Sequence, residues 1–191
     1  MNQTFSLSLA DHFDNELMQL VETIYIDSFP VEERRPFLKL YKLLTDNSFF
    51  RMYIIRKNGD AIGFITTWNF DNCVYVEHFA LQADKRGGGA GSFALSELSY
   101  MNSKPIILEV EHPTTEMAKR RIFFYERAGF KLWPHIPYIQ PPYEPHGEPV
   151  ELILMTKGDL DLTQEAGNII PLIYREVYQA DPDRYMTLLD K

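Results

Sequence analysis

The chain has 191 residues, 45% of them hydrophobic and 24% charged, which is the balance of one globular domain with a sizeable core. A formal net charge of -8 argues against general nucleic-acid binding, and no apolar run is long enough to span a membrane. The single cysteine, Cys73, excludes an internal disulfide and a cysteine-based zinc site, and the N-terminus lacks the order of a signal peptide, so the expected setting is cytoplasmic.

In chain order, Phe5 to Leu9 reads as a short strand. Asp11 is expected to cap a helix from His12 to Phe29, in which Phe13, Leu17, Leu20 and Ile24 recur at helical spacing. Pro30 ends it, and Pro36 opens a second helix, Phe37 to Thr45. The period then changes: Phe49 to Arg56 and Ala61 to Asn69 are strands joined by the hairpin turn Asn58-Gly59, and Cys73 to Leu81 is a third. Gln82 to Gly91 is a loop, and Ser92 to Met101 is a helix. Ile106 to Glu111 is a strand. A helix capped by Thr114 or Thr115 runs to Ala128, with Gly129 at its end. Phe130 to Tyr138 and Val150 to Thr156 complete the strands, separated by a proline-rich loop, and Ile169 to Gln179 forms a terminal amphipathic helix. The order implies a mixed α/β fold: an antiparallel meander, then a central strand-helix-strand unit, then a helical extension.

The most informative stretch is Arg86-Gly87-Gly88-Gly89-Ala90-Gly91, in which four of six residues are glycine. Backbone N–H groups there can approach an anion without obstruction, and the following helix adds its unsatisfied donors and the positive end of its dipole. Gly91-Ser92 lacks the lysine of a Walker loop, and the upstream meander does not suit a Rossmann unit. Cations gather nearby in sequence, at Lys85-Arg86 and at Lys119-Arg120-Arg121, which in an acidic chain suggests a specific anionic ligand.

This segment, Glu77 through Gly91, resembles the central motif of the GNAT superfamily of N-acetyltransferases, with Arg86, Gly89 and Gly91 in the Arg/Gln-x-x-Gly-x-Gly/Ala places. Phe123-Phe124-Tyr125-Glu126-Arg127-Ala128-Gly129-Phe130 resembles the family's second signature. The resemblance covers roughly residues 5 to 157. It implies an acetyltransferase domain over 1–157, with 158–191 a helical extension packed on it. One departure stands out: many members carry an asparagine where this chain has Ala118.

The resemblance implies acetyl-CoA as co-substrate, with coenzyme A in an opening where Cys73–Leu81 and Ile106–Glu111 splay apart. Phe79, Ala80 and Leu81 would contact pantetheine. Arg86, Gly87, Gly88, Gly89, Ala90, Gly91 and Ser92 would hold the pyrophosphate, and Arg121 would stand in for the missing asparagine. Tyr125 is the expected acid for the leaving thiolate. Glu77 is the expected base: alternation puts Tyr75, Glu77, Phe79 and Leu81 on one face, where apolar surroundings would raise its pKa. Glu109 is the reserve, and His78 points to the other face. Glu33, Tyr138, Gln140 and Tyr143 are expected to bind the acceptor, a small-molecule or peptide amine. No metal, nucleic-acid or membrane partner is expected, and a homodimer is left open. Two other readings stand beside transfer to an amine: a CoA-binding regulatory module without activity, and an enzyme using another acyl chain or acceptor.

Overall fold

The computed structural model describes residues 4–10, 14–144 and 146–189. The chain forms two compact units, Met1–Pro30 with Arg35–Ser103, and Val31–Arg34 with Lys104–Lys191. The elements follow one another as a mixed α/β fold, as the sequence implies.

The first unit is a four-stranded antiparallel meander. β1 (Phe5–Leu9) pairs with β2 (Phe50–Lys57), β2 with β3 (Asp60–Asn69), and β3 with β4 (Val74–Leu81). Asn58 and Gly59 both have positive φ, 53° and 96°, the backbone whose twist suits a two-residue hairpin. Helix α1 (Asn15–Ser28) packs on β3 and β4, burying Val21, Ile24 and Tyr25. Its cap is Asp14, whose Oδ1 accepts from the Leu17 N–H at 2.7 Å; the expected start at Asp11 and His12 lies outside the described residues. Pro36 stands at the N-cap of α2 (Phe37–Asp46), which packs on β2, and α3 (Ala90–Met101) packs on β1 and β2. Trp68, Tyr25, Phe50 and Phe64 are fully buried at the centre of this unit.

One irregularity changes which side chains share a face. Thr66 pairs with His78 but Thr67 pairs with Val76, so Glu77 is an extra residue in β4 with no partner on β3. The expected alternation is therefore interrupted. Counting through the ladder, Phe79 and Val76 share one face while His78 and Tyr75 share the other, so Tyr75 is not on the face of Phe79 and Leu81.

In the second unit β5 (Ile106–Glu111) leads to α4 (Glu116–Arg127), whose cap is Thr115, with Oγ1 accepting from the Ala118 N–H at 3.1 Å. The long β8 (Val150–Lys157) pairs antiparallel with β5, with β6 (Lys131–Leu132) and with β7 (Ile139–Gln140). The expected strand from Phe130 to Tyr138 is thus broken into two short pieces. Pro134 and Pro137 supply no N–H to a ladder, and the Ile136 N–H turns back to the Trp133 carbonyl at 3.2 Å. Gln140, expected in the loop, lies in β7.

The terminal helix also differs from its expected bounds. α5 spans Leu162–Glu176, starting at the cap Asp161, and α6 (Pro182–Leu189) follows. Pro171 lies inside α5. A mid-helix proline costs about 3 kcal/mol. Burial of Leu162, Ile169, Ile170, Ile173 and Tyr174 offsets it, at roughly 1.5–3 kcal/mol for each large apolar side chain.

Candidate active site

The glycine turn ends where α3 begins. Gly89 is the N-cap of α3 with φ +88°, left-handed backbone that other residues rarely adopt, and it offers no side chain to the helix donors. A Cβ placed at Gly87, Gly88 or Gly89 would meet nothing within 4 Å, so the approach to those donors is open. An uncapped helix N-terminus behind an open glycine backbone fits a phosphate group, by donor geometry and by dipole. Arg86 braces this turn: its Nε donates to the Leu81 carbonyl at 3.1 Å, and its Nη2 lies 3.4 Å from Ser28 Oγ. Gly63 on β3 is paired with Leu81, and a Cβ there would collide with the Ala80 carbonyl oxygen and the Leu81 side chain. Glycine at that position lets β3 approach β4 where Leu81 leads into the turn.

Glu77, at the bulge, is not a carboxylate among apolar neighbours. Its side chain is fully buried. Oε1 receives Nη2 of Arg35 in an ion pair, Oε2 receives the Trp68 indole N–H at 2.9 Å, and His78 Nδ1 lies 3.7 Å from Oε2. Burial alone would push its pKa up. Arg35, His78 and the hydrogen bonds from Trp68 and Arg35 outweigh that and hold it below the usual carboxylate value, so the expected upward shift is corrected. Arg35 in turn lies over the Trp68 ring at 5.8 Å, and both its backbone N–H and its carbonyl bond the Tyr25 hydroxyl, at 2.9 and 3.1 Å. His78 is buried, 3.2 Å from Thr66 Oγ1, with Tyr25 and Phe29 edge-on to its ring. Arg35 and Trp68 were not legible as partners of Glu77, since no spacing or motif marks either.

In the second unit, Tyr125 lies on α4 at 8% exposure, packed against Phe124 and Phe130. Burial pushes the phenol up to about 12, against a smaller lowering by Arg121, so it keeps its proton throughout the neutral range. Arg121 itself donates from Nη1 to Glu111 Oε2 at 2.8 Å, and Lys119 bonds Glu116, also at 2.8 Å. Two of the three cations in that run are therefore matched by acids of their own unit.

Glu109 on β5 meets two phenol hydroxyls. The Tyr138 hydroxyl donates to its Oε1, and the Tyr178 hydroxyl lies 3.2 Å from Oε1 and 3.1 Å from Oε2. Tyr138 is buried beside the Tyr174 ring, and Tyr143 packs on Tyr178 with ring centroids 5.0 Å apart. Gln140 is buried with its Nε2 on the Glu32 carbonyl at 3.4 Å. The pKa of Glu33 is raised, first by burial and then by Glu111, with Arg121 opposing and Glu32 adding. Tyr178 was missed in the sequence, where it reads only as one more aromatic of an amphipathic helix. Among the described residues, no three His, Cys, Asp or Glu side chains are grouped to hold a metal ion.

A family model described as Acetyltransferase (GNAT) family matches residues 15–130. A solved structure described as "Putative acetyltransferase from GNAT family from Bacteroides thetaiotaomicron" is 38% identical, covers 93% of this chain and 99% of that one, and superposes with a TM-score of 0.84. "Putative acetyltransferase YjbC" of Bacillus subtilis (strain 168) is 32% identical over 106 residues, 54% of this chain and 52% of that protein, so the match spans about half the length of this curated relative. Arabidopsis thaliana Naa50, solved in complex with the bisubstrate analogue CoA-Ac-MVNAL, shares the fold at 24% identity and a TM-score of 0.57, over 80% of this chain and 99% of that one.

Proposed function

This chain belongs to the acetyltransferase (GNAT) family, and from that membership we propose that it moves an acetyl group from acetyl-CoA directly to a primary amine. The observation that carries the reading is the uncapped N-terminus of α3 behind Gly87–Gly89, a phosphate cradle in the segment that matches the family motif. Gly87 through Ser92 hold the pyrophosphate through backbone donors, Arg86 shapes the turn, and Phe79, Ala80 and Leu81 line the pantetheine arm. The Arg121 guanidinium is occupied by Glu111, so its share in phosphate binding is the smaller one.

The amine nitrogen attacks the thioester carbonyl, the carbon–sulfur bond breaks, and the amine gives up a proton. Tyr125 supplies the proton that the thiolate takes. Glu77, held anionic by the charge of the Arg35 guanidinium, is poorly suited to accept one. We assign that role to Glu109, directly or through one water, with Glu77 anchoring Arg35. Glu33 and Tyr143 are assigned to the acceptor amine. Cytoplasmic residence suits a chain whose one cysteine is buried and reduced.

The test is thiol release from acetyl-CoA in the presence of spermidine, kanamycin, free lysine or a peptide with a free α-amine, with the acetylated product identified by mass spectrometry. Release that requires one of these amines is the expected result. CoA binding without transfer to any of them would leave a CoA-binding regulatory module instead.

A further inference from the structure

We propose that the C-terminal tail completes the catalytic apparatus, with Tyr178 acting together with Tyr138 as a positioning residue that fixes the Glu109 carboxylate in one orientation. The proposal rests on the reading of Glu109 as the base.

Three features of the tail point this way. Tyr178 lies two residues beyond the end of α5 and 69 residues from Glu109, yet its hydroxyl reaches both carboxylate oxygens, at 3.2 and 3.1 Å. The backbone that delivers it is held in an unusual shape: Gln179 has φ +52°, a left-handed conformation where glycine is the ordinary occupant. The Ala180 N–H returns to the Tyr174 carbonyl at 2.9 Å and closes the helix end. A non-glycine residue is disfavoured in that conformation, and the turn it makes carries the chain away directly after Tyr178. Finally, the ring is buried, with Tyr143 packed on it at a centroid distance of 5.0 Å.

A glutamate side chain turns freely about several bonds, and an unrestrained carboxylate samples many directions. Here the Tyr138 hydroxyl reaches Oε1 and the Tyr178 hydroxyl is shared between Oε1 and Oε2, which fixes the plane of the group. A base held in register with its proton accelerates transfer by orientation, and slight misplacement is expensive. The tail thereby contributes to turnover although the family model ends at residue 130.

The test is a double-mutant cycle in the full-length protein, using Tyr178→Phe, Glu109→Gln and the pair, with the fastest amine of the panel above as acceptor. Tyr178→Phe is expected to lower kcat roughly tenfold and leave KM for acetyl-CoA within about twofold. In the Glu109→Gln background the same change should cost no further activity, because there is no carboxylate base left to orient. Tyr138→Phe should repeat the pattern, which guards against a folding defect peculiar to one variant, and the melting temperature of each protein is recorded alongside. Unchanged kcat in Tyr178→Phe, or an equal loss in both backgrounds, overturns the positioning role while Glu109 stands. Full activity in Glu109→Gln removes the base itself, and this inference falls with it.

Discussion

Arg35 and Glu77 form an ion pair in which the carboxylate is fully buried and the guanidinium side chain only 9% exposed. Removing one partner of such a pair leaves a charge with no compensation. Glu77→Gln should therefore cost about 3–5 kcal/mol of stability, read by urea denaturation, while changing CoA affinity little. Arg35→Met should cost a similar amount. The double variant Arg35→Met/Glu77→Leu should recover a large part of the loss, and failure to recover would show that the pair is more than a matched charge.

The same pair sets an acid limit. Glu77 has a folded-state pKa below its unfolded value, so its contribution is present above the unfolded pKa of about 4.3 and disappears as pH falls through the lower folded value. The stability difference between wild type and Glu77→Gln should narrow steadily below about pH 4. Denaturation curves of both proteins from neutral to acid pH check this.

Gly89 is left-handed at the N-terminus of α3, where we place the cofactor pyrophosphate. Gly89→Val should cost about 1–2 kcal/mol of apo stability from backbone strain and abolish the rise in melting temperature that saturating CoA gives the wild type. Retained CoA affinity, measured by calorimetry, would move the pyrophosphate away from this turn.

Tyr125, pushed up to about 12, stays protonated well beyond neutral pH. The wild-type kcat should show no fall attributable to this phenol up to about pH 10, the ordinary tyrosine value. Tyr125→Phe should lower kcat roughly 10- to 1000-fold with CoA affinity within a few-fold. Turnover equal to wild type would take Tyr125 out of the proton path.

Arg121 lowers the proton affinity of Glu33, which burial and Glu111 raise. Arg121→Gln should raise the Glu33 pKa further, as followed by carboxyl NMR titration. With its partner Glu111 half-exposed, the pair itself contributes about 0–1 kcal/mol. The variant should bind CoA within about threefold of wild type, consistent with a modest surface charge effect. A loss far larger for CoA than for dephospho-CoA would show Arg121 leaving Glu111 for the 3′-phosphate.

What the sequence determined by itself is what short-range chemistry controls. The hairpin at Asn58-Gly59, the strand Ile106–Glu111, a helix cap at one of the two threonines Thr114 and Thr115, and the helix start at Pro36 depend on local backbone preference and spacing, and they stand where the pattern puts them; α3 begins at Ala90, two residues before the expected Ser92, with left-handed Gly89 as its N-cap. Where the local text was mixed it misled. Apolar residues from Phe130 to Tyr138 suggested one strand, but Pro134 and Pro137 withhold the donors a ladder needs.

The surroundings of the candidate catalytic groups were decided only by tertiary structure. Glu77 reads as an alternating strand position until the ladder inserts it as an extra residue, and register is a property of two strands rather than one. Its partner Arg35 lies 42 residues away, and Tyr178 lies 69 residues from Glu109. Neither distance leaves a periodic trace. Side-chain pairing across such separations follows from where the packed elements bring the chain, and it decides which donors and charges each carboxylate meets.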